Sequence, residues 1–94
     1  MKKYKSYIYF LTNKNKTTLY LGVTSNLKKR LSEHQNGIKS GFAKQYNCHY
    51  LVYYEQFNSI LDAIAREKEI KKWRRAKKNK LINGSNPKWK FLQP

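Results

Sequence analysis

Six polar side chains scattered along the chain could do chemistry together: Tyr9, Tyr20, Arg30, His34, Glu67 and Asn79. Each alone has an ordinary explanation. A strand tyrosine packs, an arginine within Lys28-Lys29-Arg30 is solvated, and a lone helical histidine is structural. Glu67 can pair with Lys71 one helical turn on. Together they suffice for phosphodiester hydrolysis. A carboxylate on an apolar face is costly unless it is paired or holds a metal. One carboxylate completed by waters and phosphate oxygens suits Mg²⁺, and such an ion polarises a phosphodiester and stabilises its leaving oxygen. Arg30 would neutralise charge developing on the phosphoryl oxygens. A tyrosine takes a proton from water only if its pKa of about 10 is lowered. Arg30, a protonated His34 or the ion would lower it. The chain contains no His/Cys zinc spacing, no phosphate-cradling G-x-x-x-x-G-K-[ST] loop and no G-x-S-x-G elbow.

The elements that must position these residues are marked locally. Residues 7–11 and 18–22 are aromatic, β-branched and aliphatic, as strands are. The polar loop Thr12 to Thr17 between them implies an antiparallel hairpin. Alternation puts Ile8, Phe10, Leu19 and Leu21 on a core face, with Tyr9 and Tyr20 together on the other. Asn26 is a helix N-cap before Leu27 and Leu31, and Arg30 and His34 are helical neighbours. Gly37 is expected to end that helix. Residues 50–54 predict a third strand. Ser59 and Asp62 resemble a capping box for the next helix. At about 100° per residue Glu67 falls within roughly 20° of Ile60, inside the apolar stripe, while Glu69 projects from nearly the opposite side. A last short helix is expected over about 76–83, stopped by Gly84 and Pro87. Trp89 and Phe91 could pin part of the tail that follows. The order β-β-α-β-α-α predicts an α+β fold with a three-stranded, mainly antiparallel sheet flanked by helices.

Composition bounds the partners. The chain has 94 residues and a formal net charge of +16, from 21 Lys+Arg and 5 Asp+Glu. That length fits one domain, 1–94, with a core of about 5–83 and a tail from 84 to 94. With 39% hydrophobic and 15% aromatic residues, it is no disordered basic tail. The single cysteine, Cys48, excludes an internal disulfide framework and a multi-cysteine zinc site. The apolar run after Met1-Lys2-Lys3 is too short for a signal peptide, and no stretch approaches a membrane span. An intracellular, cytoplasmic protein that binds a polyanion is expected. Lys68 to Lys80 holds eight Lys/Arg and one acid, Glu69.

The motifs resemble those of the GIY-YIG nucleases, and in particular their small single-domain branch. Tyr7-Ile8-Tyr9 stands at the first motif and Tyr20-Leu21-Gly22 at the second. Arg30, ten residues after Tyr20, matches the family's arginine, and His34 its frequent histidine one turn on. Ala63 to Glu67 reproduces the spacing from a small residue to the metal-binding glutamate. Asn79 is the best match to a later asparagine, ahead of Asn83. Tyr7 stands where the family's name has Gly, and Leu21 where it has Ile; neither change removes a candidate catalytic group.

The resemblance implies the fold read above and a divalent-metal-dependent endonuclease acting on DNA in preference to RNA, with one Mg²⁺ or Mn²⁺ held by Glu67. Tyr9, or failing that Tyr20, would deprotonate the attacking water. Arg30 would stabilise the phosphoryl group, His34 would orient a tyrosine or relay a proton, and Asn79 would position these groups. Family members act in repair, restriction, mobile-element and branch-resolving roles. Lys28, Lys29, Lys39, Lys44, Lys71, Lys72, Arg74, Arg75, Lys77 and Lys78 would grip the backbone, which gives affinity and not sequence choice. Phe42, Tyr46 or Trp73 could stack on an unpaired base, although packing suits Trp73 better. Specificity would come from the chain's own loops, a homodimer or a partner protein. Two rivals are a non-catalytic nucleic-acid-binding module of the same fold and a structural protein on RNA. A membrane-surface role is disfavoured, because the basic helix lacks a clean opposing apolar face.

Overall fold

Strands β1 (Ser6–Thr12) and β2 (Leu19–Thr24) form the expected hairpin in the computed structural model, which describes residues 5–36 and 46–94. Asn13 closes the turn: its Oδ1 accepts from the backbone N–H groups of Thr17 at 2.8 Å and Thr18 at 3.0 Å. Asn side chains favour such turns because they imitate a backbone acceptor. The register pairs Tyr9 with Gly22 and Leu11 with Tyr20, so both tyrosines share a face as diagonal neighbours. Helix α1 (Leu27–Gln35) starts at Asn26, whose side chain accepts from the Lys29 N–H. Its end at Gln35 precedes Gly37, which lies outside the described residues, as do Phe42, Lys39 and Lys44.

Strand β3 (Tyr50–Phe57) pairs antiparallel with β1, giving the sheet order β2-β1-β3. It runs past the expected end at Tyr54, because Glu55, Gln56 and Phe57 complete the ladder opposite Ile8, Tyr7 and Ser6. Polar Glu55 and Gln56 do not read as strand residues, but pairing with a central strand overrides their propensity. Helix α2 (Ile60–Lys71) begins at Ser59, whose side chain accepts from the Leu61 N–H. Helix α3 (Arg75–Ser85) runs through Gly84 and does not stop before it. The break falls at Asn86, because a residue preceding proline is forced out of the α region. Asn86, with φ −142° and ψ 68°, donates from Nδ2 to the carbonyls of Val52 and Lys90, both at 2.9 Å. The tail is pinned further where the Leu92 N–H donates to the Leu51 carbonyl and Phe91 stacks on Tyr50, with ring centroids 4.2 Å apart.

Helices cover both faces of the sheet. Ile8 and Phe10 pack with Val52, Ala63, Ile70 and Ile82 under α2 and α3, which is the expected core face. The other face carries a second core, in which Tyr9 and Leu11 pack with Leu27, Leu31, Cys48 and Leu51 under α1. Central strand β1 is therefore buried on both sides. No helix among the described residues is long and apolar enough to cross a membrane.

Candidate active site

The α1 face gathers four of the six candidate residues. Tyr9 comes from the central strand, Tyr20 from the outer strand β2, and Arg30 and His34 from consecutive turns of α1. The Tyr9 hydroxyl meets His34 Nε2 at 3.3 Å. Ring centroids lie 6.3 Å apart for Tyr9 and Tyr20, and 5.5 Å apart for Tyr20 and His34. Gly22 explains itself here. A Cβ at that position would sit closer than 3.0 Å to the Tyr9 phenol, so only glycine lets the ring lie across β2.

Burial divides the two tyrosines. Tyr9 is 1% exposed, whereas Tyr20 is half-buried. Desolvation pushes the Tyr9 phenol far above its ordinary value; the neighbouring Tyr20 adds to this, and the Arg30 guanidinium opposes it without overcoming it. Tyr9 therefore keeps its proton at neutral pH. The expected role of Tyr9 as base needs that value lowered, which the Arg30 guanidinium alone does not achieve. Arg30 pairs with Glu33 at 3.4 Å and lines an open cleft of about 380 Å³ with Lys29, Ser25 and Asn26.

Glu67 and Asn79 come from the other layer. Helix α2 packs with Ala63 and Ile70 against the sheet face opposite the tyrosines. The outer strand β2 lies between the layers, with Leu19, Leu21 and Val23 turned toward the α2 core and Tyr20 toward the α1 core. Helical projection separates Glu67 from Glu69 correctly, since their side chains are 14% and 57% exposed. The Glu67 carboxylate pairs with Lys71 Nζ at 3.4 Å. Asn79 accepts from Arg75 Nε at 2.8 Å, and Arg75 Nη1 donates to the Thr17 carbonyl at 3.1 Å. That arrangement ties α3 to the hairpin turn. Among the described residues no group of three or more His, Cys, Asp or Glu converges on one point. A single carboxylate is within what Mg²⁺ takes, since that ion keeps several waters and binds one or two carboxylates, but Glu67's is engaged by Lys71.

The basic surface is only partly uncommitted. Lys28, Lys29, Lys72 and Arg74 are exposed, as is Lys71, whose ammonium is engaged by Glu67. Lys77 Nζ lies 4.2 Å from the Trp73 ring centroid, and the Arg66 guanidinium lies 5.3 Å from it. Trp73 is thus packed and flanked by cations, as the preference for packing anticipated. A network not anticipated joins β3 to α2. Arg66 donates from Nε to Glu55 Oε1 at 2.9 Å and from Nη2 to Oε2 at 3.1 Å, and Tyr53 donates to the same carboxylate. Burial alone would raise the Glu55 carboxyl, but the hydrogen bonds from Arg66 and Tyr53 outweigh it and hold the group below its ordinary value. In the sequence Glu55 lies just beyond the apolar run 50–54, so nothing there marked it as the partner of Arg66.

Comparison with known proteins agrees with the motifs. A model of the GIY-YIG catalytic domain matches residues 5–81. UPF0213 protein SSP2268 of Staphylococcus saprophyticus is 39% identical over 79 residues, which are 84% of this chain and 95% of that protein. A UPF0213 protein of Syntrophus aciditrophicus is 42% identical over 85 residues, covering 88% and 94% of the two chains. The solution NMR structure of UPF0213 protein BH0048 from Bacillus halodurans has the same fold, with a TM-score of 0.58 at 26% identity over 90% of this chain and 89% of that one. With its two motifs on adjacent strands and an arginine and histidine on the following helix, the chain belongs to the GIY-YIG nuclease family.

Proposed function

We propose that the protein is a divalent-metal-dependent endonuclease that hydrolyses DNA phosphodiester bonds. The observation that carries this reading is the clustering of Tyr9, Tyr20 and His34 beside Arg30, which itself lines a cleft with Lys29 and Glu33. Arg30 and Lys29 would receive the phosphate, and Arg30 would bind the phosphoryl oxygens more tightly as charge develops on them. Tyr20 is the accessible phenol and would align the attacking water. His34 is 4% and Tyr9 1% exposed, so both would act as positioning residues. Glu67 would hold the Mg²⁺ or Mn²⁺ ion, which supplies Lewis-acid stabilisation of phosphate charge when bound. Lys71, Lys72 and Arg74 would contact backbone phosphates, and specificity would come from the chain's own loops, a second copy or a partner protein.

A second reading, a non-catalytic DNA- or RNA-binding module, is favoured by one observation: Glu67 is paired with Lys71, and its helix covers the face opposite the tyrosines. Supercoiled, single-stranded and branched DNA, incubated with Mg²⁺, with Mn²⁺ or with chelator, separate the two. The nuclease reading expects ion-dependent cleavage that Arg30→Ala and Glu67→Ala abolish. No cleavage of any substrate, or equal cleavage by the variants, rejects it. Binding that survives in both variants and weakens steeply with salt then supports the module.

A further inference from the structure

The face that carries Tyr9 continues beyond the site just described. Cross-strand pairing sets Tyr7 opposite Gln56 and Tyr9 opposite Tyr54, so all four side chains share the α1 side of the sheet. Tyr7 and Tyr54 meet edge to face, with centroids 6.2 Å apart, and Tyr54 stays 41% exposed. They line a second cleft of about 380 Å³ together with Lys5, Lys28 and Gln56. Among the described residues its wall holds the two cations Lys5 and Lys28 and no Asp or Glu side chain, and Pro94 borders it. Ser25 and Asn26 line both this cleft and the Arg30 cleft, so the two meet at the turn before α1.

We infer that this second cleft binds one unpaired nucleotide of a DNA strand whose neighbouring phosphate lies in the Arg30 cleft. An exposed aromatic ring, here Tyr54 backed by the half-buried Tyr7, beside cations is what a single strand requires, since every base offers a π-face and every linkage a negative charge. Gln56 adds an amide that can donate to and accept from a base edge. A base inside a duplex has its faces covered by its neighbours and cannot enter the cleft. The inference rests on the nuclease reading for its placement beside Arg30, and it narrows the substrate to single-stranded, flapped or branched DNA.

Binding in chelator tests this without cleavage. A labelled single-stranded oligonucleotide and a duplex of the same length are titrated against wild type, Tyr54→Phe, Tyr54→Leu and Tyr54→Ala. Removing the ring is expected to weaken single-strand binding on the order of tenfold, the size of one base–aromatic stack. Duplex binding should stay within about twofold, and Tyr54→Phe should bind like wild type. Tyr54→Leu keeps apolar volume without a ring, so its loss separates stacking from misfolding. Equal weakening of both DNAs, or no weakening of either, overturns the inference. Single-stranded RNA distinguishes the strand type: a parallel loss supports a site that reads the base face, and a loss confined to RNA overturns DNA as the occupant. If cleavage fails while single-strand selectivity depends on Tyr54, the nuclease reading falls and the cleft stands.

Discussion

Gly22→Ala offers a sharp test of the packing beneath the site. The added methyl would lie closer than 3.0 Å to the phenol carbons and oxygen of Tyr9. That ring cannot retreat easily, because it is 1% exposed and its hydroxyl meets His34 Nε2 at 3.3 Å. Forcing a methyl into a packed site costs about 1–3 kcal/mol. At about 4–8 °C per kcal/mol for a domain of this size, Tm should fall by roughly 4–24 °C. Gly84→Ala is the matched control. It lies in the last turn of α3, and a Cβ there meets nothing within 4 Å. Its helix propensity should leave Tm unchanged or raise it, by at most about 1 kcal/mol of stability. Thermal melts followed by circular dichroism read both variants. Relief of the clash by a smaller partner, Gly22→Ala with Tyr9→Leu, should make the two losses less than additive. A Gly22→Ala variant within about 0.5 kcal/mol of wild type would refute the close approach of Tyr9 to β2.

Three further outcomes are expected. Tyr20→Phe should abolish DNA cleavage with little effect on Tm. Tyr9→Phe should retain part of the activity while losing about 0.5–1.5 kcal/mol with its His34 contact; parallel melts and cleavage assays separate the two. Tyr9 and Tyr53 both hold their protons more tightly when folded than the usual tyrosine value of 10.0. Between the unfolded and folded pKa values the native state binds more protons, so stability is full below about pH 10 and falls as pH rises above it. Urea midpoints across alkaline pH should show that slope, and Tyr9→Phe and Tyr53→Phe should each flatten it. Glu55 has the opposite sign: its depressed carboxyl contributes stability above the ordinary glutamate range that is lost on acidification. Glu55→Gln should cost about 1–3 kcal/mol at neutral pH by leaving Arg66 without a carboxylate, and should blunt the acid transition in the same urea series.

Local signals carried most of the fold. Asn26 and Ser59 are caps because of what they offer to the next turn, and both cap as their types dictate. Glu67 falls on the inner stripe of α2 because helical periodicity is a property of twelve consecutive residues. Nonlocal facts were hidden. The alternation of Tyr, Ile, Tyr and Phe in β1 is apolar on both faces, and near-continuous apolar runs mark strands covered on both sides. A reading that assigns one face to the core and the other to an open site misses that Tyr9 is itself core. The face of the sheet that α2 covers is likewise set by its crossover from β3 and not by its own residues. The Arg66–Glu55 pair joins a helix to a strand, and Asn86 secures Val52 from thirty-four residues away.

The division between Tyr9 and Tyr20 follows from strand order more than from motif. Both residues project to the α1 side, but β1 is central and β2 is outer. A tyrosine on the central strand is covered by the helix above and by neighbours on both sides. One on the outer strand keeps an edge in solvent. The same residue type is thereby given two tasks by its position in the sheet. Tyr9 contacts His34, which stands one helical turn beyond Arg30, so a buried phenol helps seat α1 on the sheet. Gly22 permits that phenol to lie flat across β2. Disturbing Tyr9 or Gly22 should therefore act on the Arg30 cleft through the seating of α1 and displace Arg30 without touching it. On the proposed nuclease reading, such a change would lower the gain in binding between ground state and transition state while leaving the net charge, and with it any nonspecific attraction to DNA, as it was.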